Sequence, residues 1–239
     1  MERASDQGPS GRVFDLDAIG QALEKLSGWN VDDDSLAPGA APGFEDARRR
    51  MLNGYGFVDS LSAAGRDAFA FGGSHLLLEL SHVVLCGTTP ARRAEFARHI
   101  AATERRFYED HACGADSFYD WVDENRGLKP LVFAAGVYRR IVGAPQLFIE
   151  GNQHTATLVA SFVLGRGGLP PLVWTRSIIK AFASLSAQCK ATDRRRLLSA
   201  IWGAALDWRL QRFIARTADT RFLANRNPHP EPASVSPAV

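Results

Sequence analysis

A chain of 239 residues, 46% of them hydrophobic, is long enough for one domain with a sizeable core. Its 28 basic and 26 acidic residues leave a formal net charge of +2, which gives no basis for broad, sequence-independent nucleic-acid binding. Three scattered cysteines, Cys86, Cys113 and Cys189, make neither a disulfide framework nor a zinc site. No apolar run reaches the roughly 18 residues of a membrane span, and residues 1–12 lack the apolar stretch of a secretory signal. A reduced, cytoplasmic setting without membrane contact is therefore expected.

Residues 1–12 and 222–239 are rich in Pro, Ser, Asn and charge and are expected to be disordered ends. Phe14, Leu16, Ile19, Leu23 and Leu26 fall on one face and predict a short helix within 13–29, followed by a loop up to Gly43. A helix over about 44–52 is predicted to end at Gly54 and Gly56. The apolar stretch 74–85 reads as a helix stopped at Gly87. Thr89 and Pro90 then mark the start of a long helix to 110. Further helices are predicted over 116–125, 128–142, 153–164, 175–188 and 192–217. Leu198, Ile201, Ala205 and Leu206, with Trp202 and Trp208, form an apolar stripe on the last of these, which reads as core. Period-two alternation is almost absent, although 69–73 or 169–174 admits a small β-hairpin. The expectation is an all-α protein of six to eight helices. A helical extension over 13–60 precedes a main domain over 61–221, with a tail from 222 to 239.

Residues 146–156, Gln-Leu-Phe-Ile-Glu-Gly-Asn-Gln-His-Thr-Ala, read as a loop running into a helix that opens at Gln153, with Glu150, Gly151 and Asn152 at the turn. A helix N-terminus has free N–H groups and partial positive charge, and so holds anions readily. The stretch resembles the signature loop of Fic (Fido-fold) proteins, His-Pro-Phe-x-Asp/Glu-Gly-Asn-Gly-Arg-x-x-Arg, aligned without a gap from Gln146 to Thr157. The run 158–164 and residues 168–172 are similar to the family's continuation, and 78–87 is similar to a helix in some bacterial Fic-like proteins. The resemblance covers roughly 75–215 and implies a Fic/Fido-like helical bundle with the loop between two central helices.

The resemblance also assigns roles. The family's general-base histidine falls at Gln146, whose amide does not titrate near neutral pH. Phe148 matches the residue that anchors the loop in the core. Glu150 matches the Mg²⁺ ligand, although it also reads as a carboxylate stabilising a helix N-terminus. Gly151 and Asn152 match positions that meet a phosphate, and Gln153 stands where the family has a second glycine. His154 replaces the first arginine, and Thr157 replaces the arginine that clamps the terminal phosphate. Thr155 lies between them in the same first turns. A lost general base alone costs about 10²–10⁴-fold in rate, so AMP transfer by the usual Fic route is not expected.

His154 is a candidate replacement base or ligand contact. His82, inside an apolar helix, reads either as a satisfied core histidine or as an acid or base facing the same cleft. His75, His99 and His111 fall on surface-like stretches and carry no signal. The resulting expectation is a non-standard group transferase. Gln146, His154 and His82 would be its catalytic residues, and Gly151, Asn152, Gln153, Thr155 and Thr157 would bind the ligand. Glu150 would hold Mg²⁺, and a nucleotide or nucleotide-activated donor would be the phosphate-bearing partner. The competing expectation is an inactive Fic-like regulatory protein with a protein partner; a homodimer remains open in either case.

Overall fold

A computed structural model describes residues 13–26, 43–193 and 199–224. Among these residues the chain is all-α, with ten α-helices: α1 (Leu16–Glu24), α2 (Phe44–Ala63), α3 (Ser74–Cys86), α4 (Pro90–Glu95), α5 (Ala97–Glu109), α6 (Ala115–Asn125), α7 (Pro130–Val142), α8 (Asn152–Arg166), α9 (Ile179–Ala191) and α10 (Ser199–Thr217). A 3₁₀ turn, η1, follows at Thr220–Phe222. The expected total of six to eight undercounts the fold, and the nine segments read in chain order become ten because one of them divides.

The central pair is α7 and α8, with α2 and α3 packed on α8 and with α9 and α10 packed on α7. Helix α8 is buried on every side from Thr155 to Gly165, as expected of a helix surrounded by others. The loop that contains residues 146–151 joins α7 to α8.

Three expectations change. Helix α2 runs through Gly54 and Gly56 to Ala63. A Cβ at Gly54 would lie 2.3 Å from Leu158 Cδ1 of α8, so this glycine permits close helix packing and does not end the helix. The long helix expected to 110 breaks at Phe96 into α4 and α5, and α4 buries no residue that would hold it in line. Neither hairpin forms. Residues 69–73 are a turn, and 169–174 form neither helix nor strand. In the second segment, Ser161 Oγ accepts from Leu172 N at 3.1 Å and Tyr55 donates to Leu172 O at 2.5 Å. Side chains of α8 and α2 thus occupy backbone groups that a second strand would have used.

The expected boundary at 60/61 falls inside α2, and residues on both sides share one apolar core. The disordered tail was expected from 222, but Phe222 is fully buried and Leu223 bridges to Phe14. An apolar side chain with a site in the core outweighs the polar composition around it. The remainder of that tail, residues 1–12 and the loop from Asp32 lie outside the described residues. On α10, Leu206 is buried, whereas Ala205 and Trp208 are exposed, with Arg212 over the Trp208 ring. Leu198 and the side chains of Ile201 and Trp202 lie outside the described residues. Among the described residues no helix is long and apolar enough to cross a membrane.

Candidate functional site

The loop is tied together by one amide. Asn152 is buried, and its Oδ1 accepts from Phe148 N at 2.8 Å. Its Nδ2 donates to Phe148 O at 2.9 Å and to Gln146 Oε1 at 3.2 Å. The side chain therefore closes a ring back onto the loop, and it is not turned toward a ligand as the resemblance suggested. Gly151 adopts φ 70°, the left-handed conformation that glycine reaches without strain, and this turn aims the chain into α8. A Cβ here would sit 3.0 Å from Val84 Cγ1, so the turn rests directly on α3. Phe148 is fully buried and stacks on Phe107 with ring centroids 5.5 Å apart, which anchors the loop to α5.

The three expected catalytic residues face different surroundings. Gln146 is half-buried and held by Asn152 and, at 3.4 Å, by Val142 O. His154 packs its ring against Trp174 at 4.7 Å between centroids, on the side of the segment leading to α9. His82 is buried on α3, where its charged neighbours are Glu79, Arg93 and Glu104. Burial pushes its imidazole below the usual 6.5, the Glu79 carboxylate opposes this, Arg93 adds to it, and Glu104 opposes it. Glu79 in turn forms an ion pair with Arg93. Glu79 lies on α3, Arg93 on α4 and Glu104 on α5, so His82 sits in a charged cluster to which all three helices contribute.

Of the expected ligand contacts, Thr157 is fully buried and its hydroxyl donates to Gln153 O at 2.9 Å. A hydroxyl bonded one turn back along its own helix and sealed in the core cannot replace a phosphate clamp. Gln153 is half-buried at the start of α8. Thr155 is fully buried with its Oγ1 unpartnered, 3.9 Å from where a Cβ would stand on Gly151.

The sequence predicts a helix through residues 97–109 but does not show that α5 borders the loop. His99 Nε2 lies 3.8 Å from Glu150 Oε2, within ion-pair distance but beyond hydrogen-bond reach. Arg106 donates from Nη2 to Gln146 O at 2.8 Å. Thr103, between them on the same helical face, is 2% exposed. The atoms His99 Nε2, Thr103 Oγ1, Arg106 Nε and Thr155 Oγ1 are all buried without a hydrogen-bond partner. All four belong to helices that border the loop. The spacing 99, 103, 106, 107 was the available signal, since it places these side chains on one helical face.

Glu150 is a mostly buried carboxylate, with 18% of its side chain exposed. Among the described residues no group of three or more His, Cys, Asp or Glu side chains is positioned to hold a metal. A single carboxylate suits Mg²⁺ only where substrate phosphates and waters complete the coordination, as that ion often requires.

No protein-family model matches this chain, and neither the curated proteins nor the solved structures compared with it give a match.

Proposed function

We propose that this protein is a Fido-like group transferase of non-standard chemistry, binding a phosphate-bearing small molecule or nucleotide-activated donor between α5 and the loop at 146–157. The observation that carries this reading is the set of buried, unpartnered polar atoms on His99, Thr103, Arg106 and Thr155. Buried polar groups are nearly always hydrogen-bonded, so four such atoms bordering one loop support the presence of a polar guest there. The N–H groups of the first turn of α8 add partial positive charge, and Arg106 adds a full one. Beside them, His99, with the Glu150 carboxylate 3.8 Å away, takes over the work of the absent family histidine: its neutral imidazole accepts the proton of an acceptor hydroxyl as that oxygen bonds to the transferred group and the rest of the donor departs with its phosphate. Glu150 would hold Mg²⁺ together with the phosphates of the ligand, and the ion would neutralise charge on the transferring group.

Titration calorimetry with a panel of nucleotides and nucleotide-sugars, with and without Mg²⁺, tests the proposal. Binding weakened at least tenfold by His99→Ala and by Glu150→Gln is expected, since each removes a contact to a charged group of the ligand or its ion, worth about 1.5–3 kcal/mol. No heat up to about millimolar ligand, the weak end of specific binding, would retire it.

A second reading, an inactive Fic-like regulatory scaffold, is favoured by Asn152 and Thr157, whose polar atoms are bonded within the chain. That reading predicts no nucleotide binding and an unchanged partner interaction when His99 is replaced. Restoring the family arginine at Thr157 is not a usable test, because that position is sealed in the core.

A further inference from the structure

A second concave site lies where α1, the turn leading into α9 and η1 meet. Its cavity of about 290 Å³ is lined by Gln21, Lys25, Thr175, Arg176, Ser177 and Arg221, with small apolar residues of α1 at its floor. Three cations line this space, and among the described residues no carboxylate does. Elsewhere many arginines are paired with carboxylates, for instance Arg48 with Glu45, Arg126 with Asp123, Arg139 with Asp207 and Arg166 with Asp67. Lys25 and Arg176, by contrast, form no ion pair with the described residues. Arg221 is paired to Asp219 at 2.8 Å, outside the lining, and is braced over the Phe222 ring. Thr175 Oγ1 and Ser177 Oγ share a hydrogen bond of 2.9 Å, placing two hydroxyls side by side at the rim.

We propose that this cavity binds the phosphate group of a small phosphate monoester. Like charges gathered in one concavity repel one another, and an anion relieves that repulsion while the walls focus the field. A phosphate monoester carries close to two negative charges at neutral pH and three strong acceptor oxygens. Lys25 and Arg176, which form no ion pair with the described residues, match that charge, while Arg221, the hydroxyls and the Gln21 amide supply further donors. The cavity falls at the lower limit of the roughly 300–1,000 Å³ typical of small-molecule sites, so it admits one phosphate with a sugar-sized substituent. This site shares no residue with the loop at 146–157, so the proposal stands or falls independently of the transferase reading.

The full chain, titrated with ribose 5-phosphate, inorganic phosphate and ribose, provides the test, with amide chemical shifts as readout. Ribose 5-phosphate and inorganic phosphate are expected to shift the amides of Thr175, Arg176 and Ser177, and ribose is not. The double variant Lys25→Ala/Arg176→Ala, at exposed positions that folding does not use, is expected to weaken binding by about a hundredfold, roughly tenfold per charge-assisted contact. Raising the ionic strength weakens it as well. Glu150→Gln is expected to leave it unchanged. The proposal is overturned by no shift up to about 10 mM ester, a level at which even weak sites fill. Equal binding by the double variant overturns it too, as does loss of binding in Glu150→Gln. Binding to vesicles containing phosphatidic acid without binding of the soluble ester would assign the cavity to a lipid headgroup and overturn the small-molecule assignment.

Discussion

Asn152 illustrates how one side chain can hold a loop without touching a ligand. Replacing it with alanine leaves the N–H and C=O of buried Phe148 without their partner, at about 1–3 kcal/mol for each orphaned group. Urea denaturation should place Asn152→Ala well below the wild type. Asn152→Asp, which keeps the acceptor for Phe148 N but loses both donor bonds, should fall between them; equal midpoints would mean that the amide does not brace the loop. His82 yields a prediction about pH. Its folded imidazole titrates below the 6.5 of the unfolded chain because burial penalises the cation. Below 6.5 the unfolded state binds the proton first, so stability present above that pH is lost as pH falls through the folded value. His82→Leu removes the titration, and the fall in melting temperature between about pH 7 and pH 5 should flatten. An unaltered pH slope would show that other groups govern it. At this scale the sequence was partly legible. Residues 146–157 stood out by composition and resemblance, but whether a polar side chain points at a ligand or back at its own backbone depends on rotamers that sequence does not display. His99 was set aside as carrying no signal because a lone histidine among arginines on an amphipathic helix looks like surface.

Helix ends were legible wherever a local rule decides them. The stop at Gly87 and the start at Thr89-Pro90 both appear in the fold, and α7 and α8 form within one or two residues of expectation. Expectation failed where a residue answers to its tertiary neighbours. Gly54 looked like a helix end because glycine costs about 1 kcal/mol in a helix interior, yet it lies mid-helix where α8 presses against α2. This decides between two opposite forecasts for Gly54→Ala. Propensity alone predicts a gain near 1 kcal/mol, but overpacking of a filled contact costs about 1–3 kcal/mol. Since the added methyl would stand 2.3 Å from Leu158 Cδ1, the loss should win or at best cancel. In a Leu158→Ala background the clash is gone, and Gly54→Ala should then stabilise. A double-mutant cycle by chemical denaturation reads this directly, and additive effects would refute the steric account.

Across the whole molecule, the two ends of the described chain are stitched together through one buried carboxylate. Asp59, 4% exposed on α2, accepts from Val13 N at 2.7 Å and from Phe14 N at 2.9 Å. The same segment then pairs with the C-terminal turn: Asp15 N donates to Phe222 O at 2.9 Å, and Ala224 N donates to Val13 O at 3.0 Å. Phe14 and Phe222, both fully buried, are held in the core by this stitch. Asp59→Ala removes the shared acceptor and strands two N–H groups, at roughly 1.5–3 kcal/mol for each charge-assisted bond. Asp59→Asn keeps an oxygen in the same place, so it should lose much less. Because the segments depend on each other, the damage should reach beyond Val13 and Phe14. Hydrogen exchange in Asp59→Ala should accelerate at Asp15 and Ala224, whose amides bond across the junction, while amides deep in α8 hold their protection. Unchanged exchange at Ala224 would mean that the C-terminal segment docks independently, with Phe222 burial alone holding it.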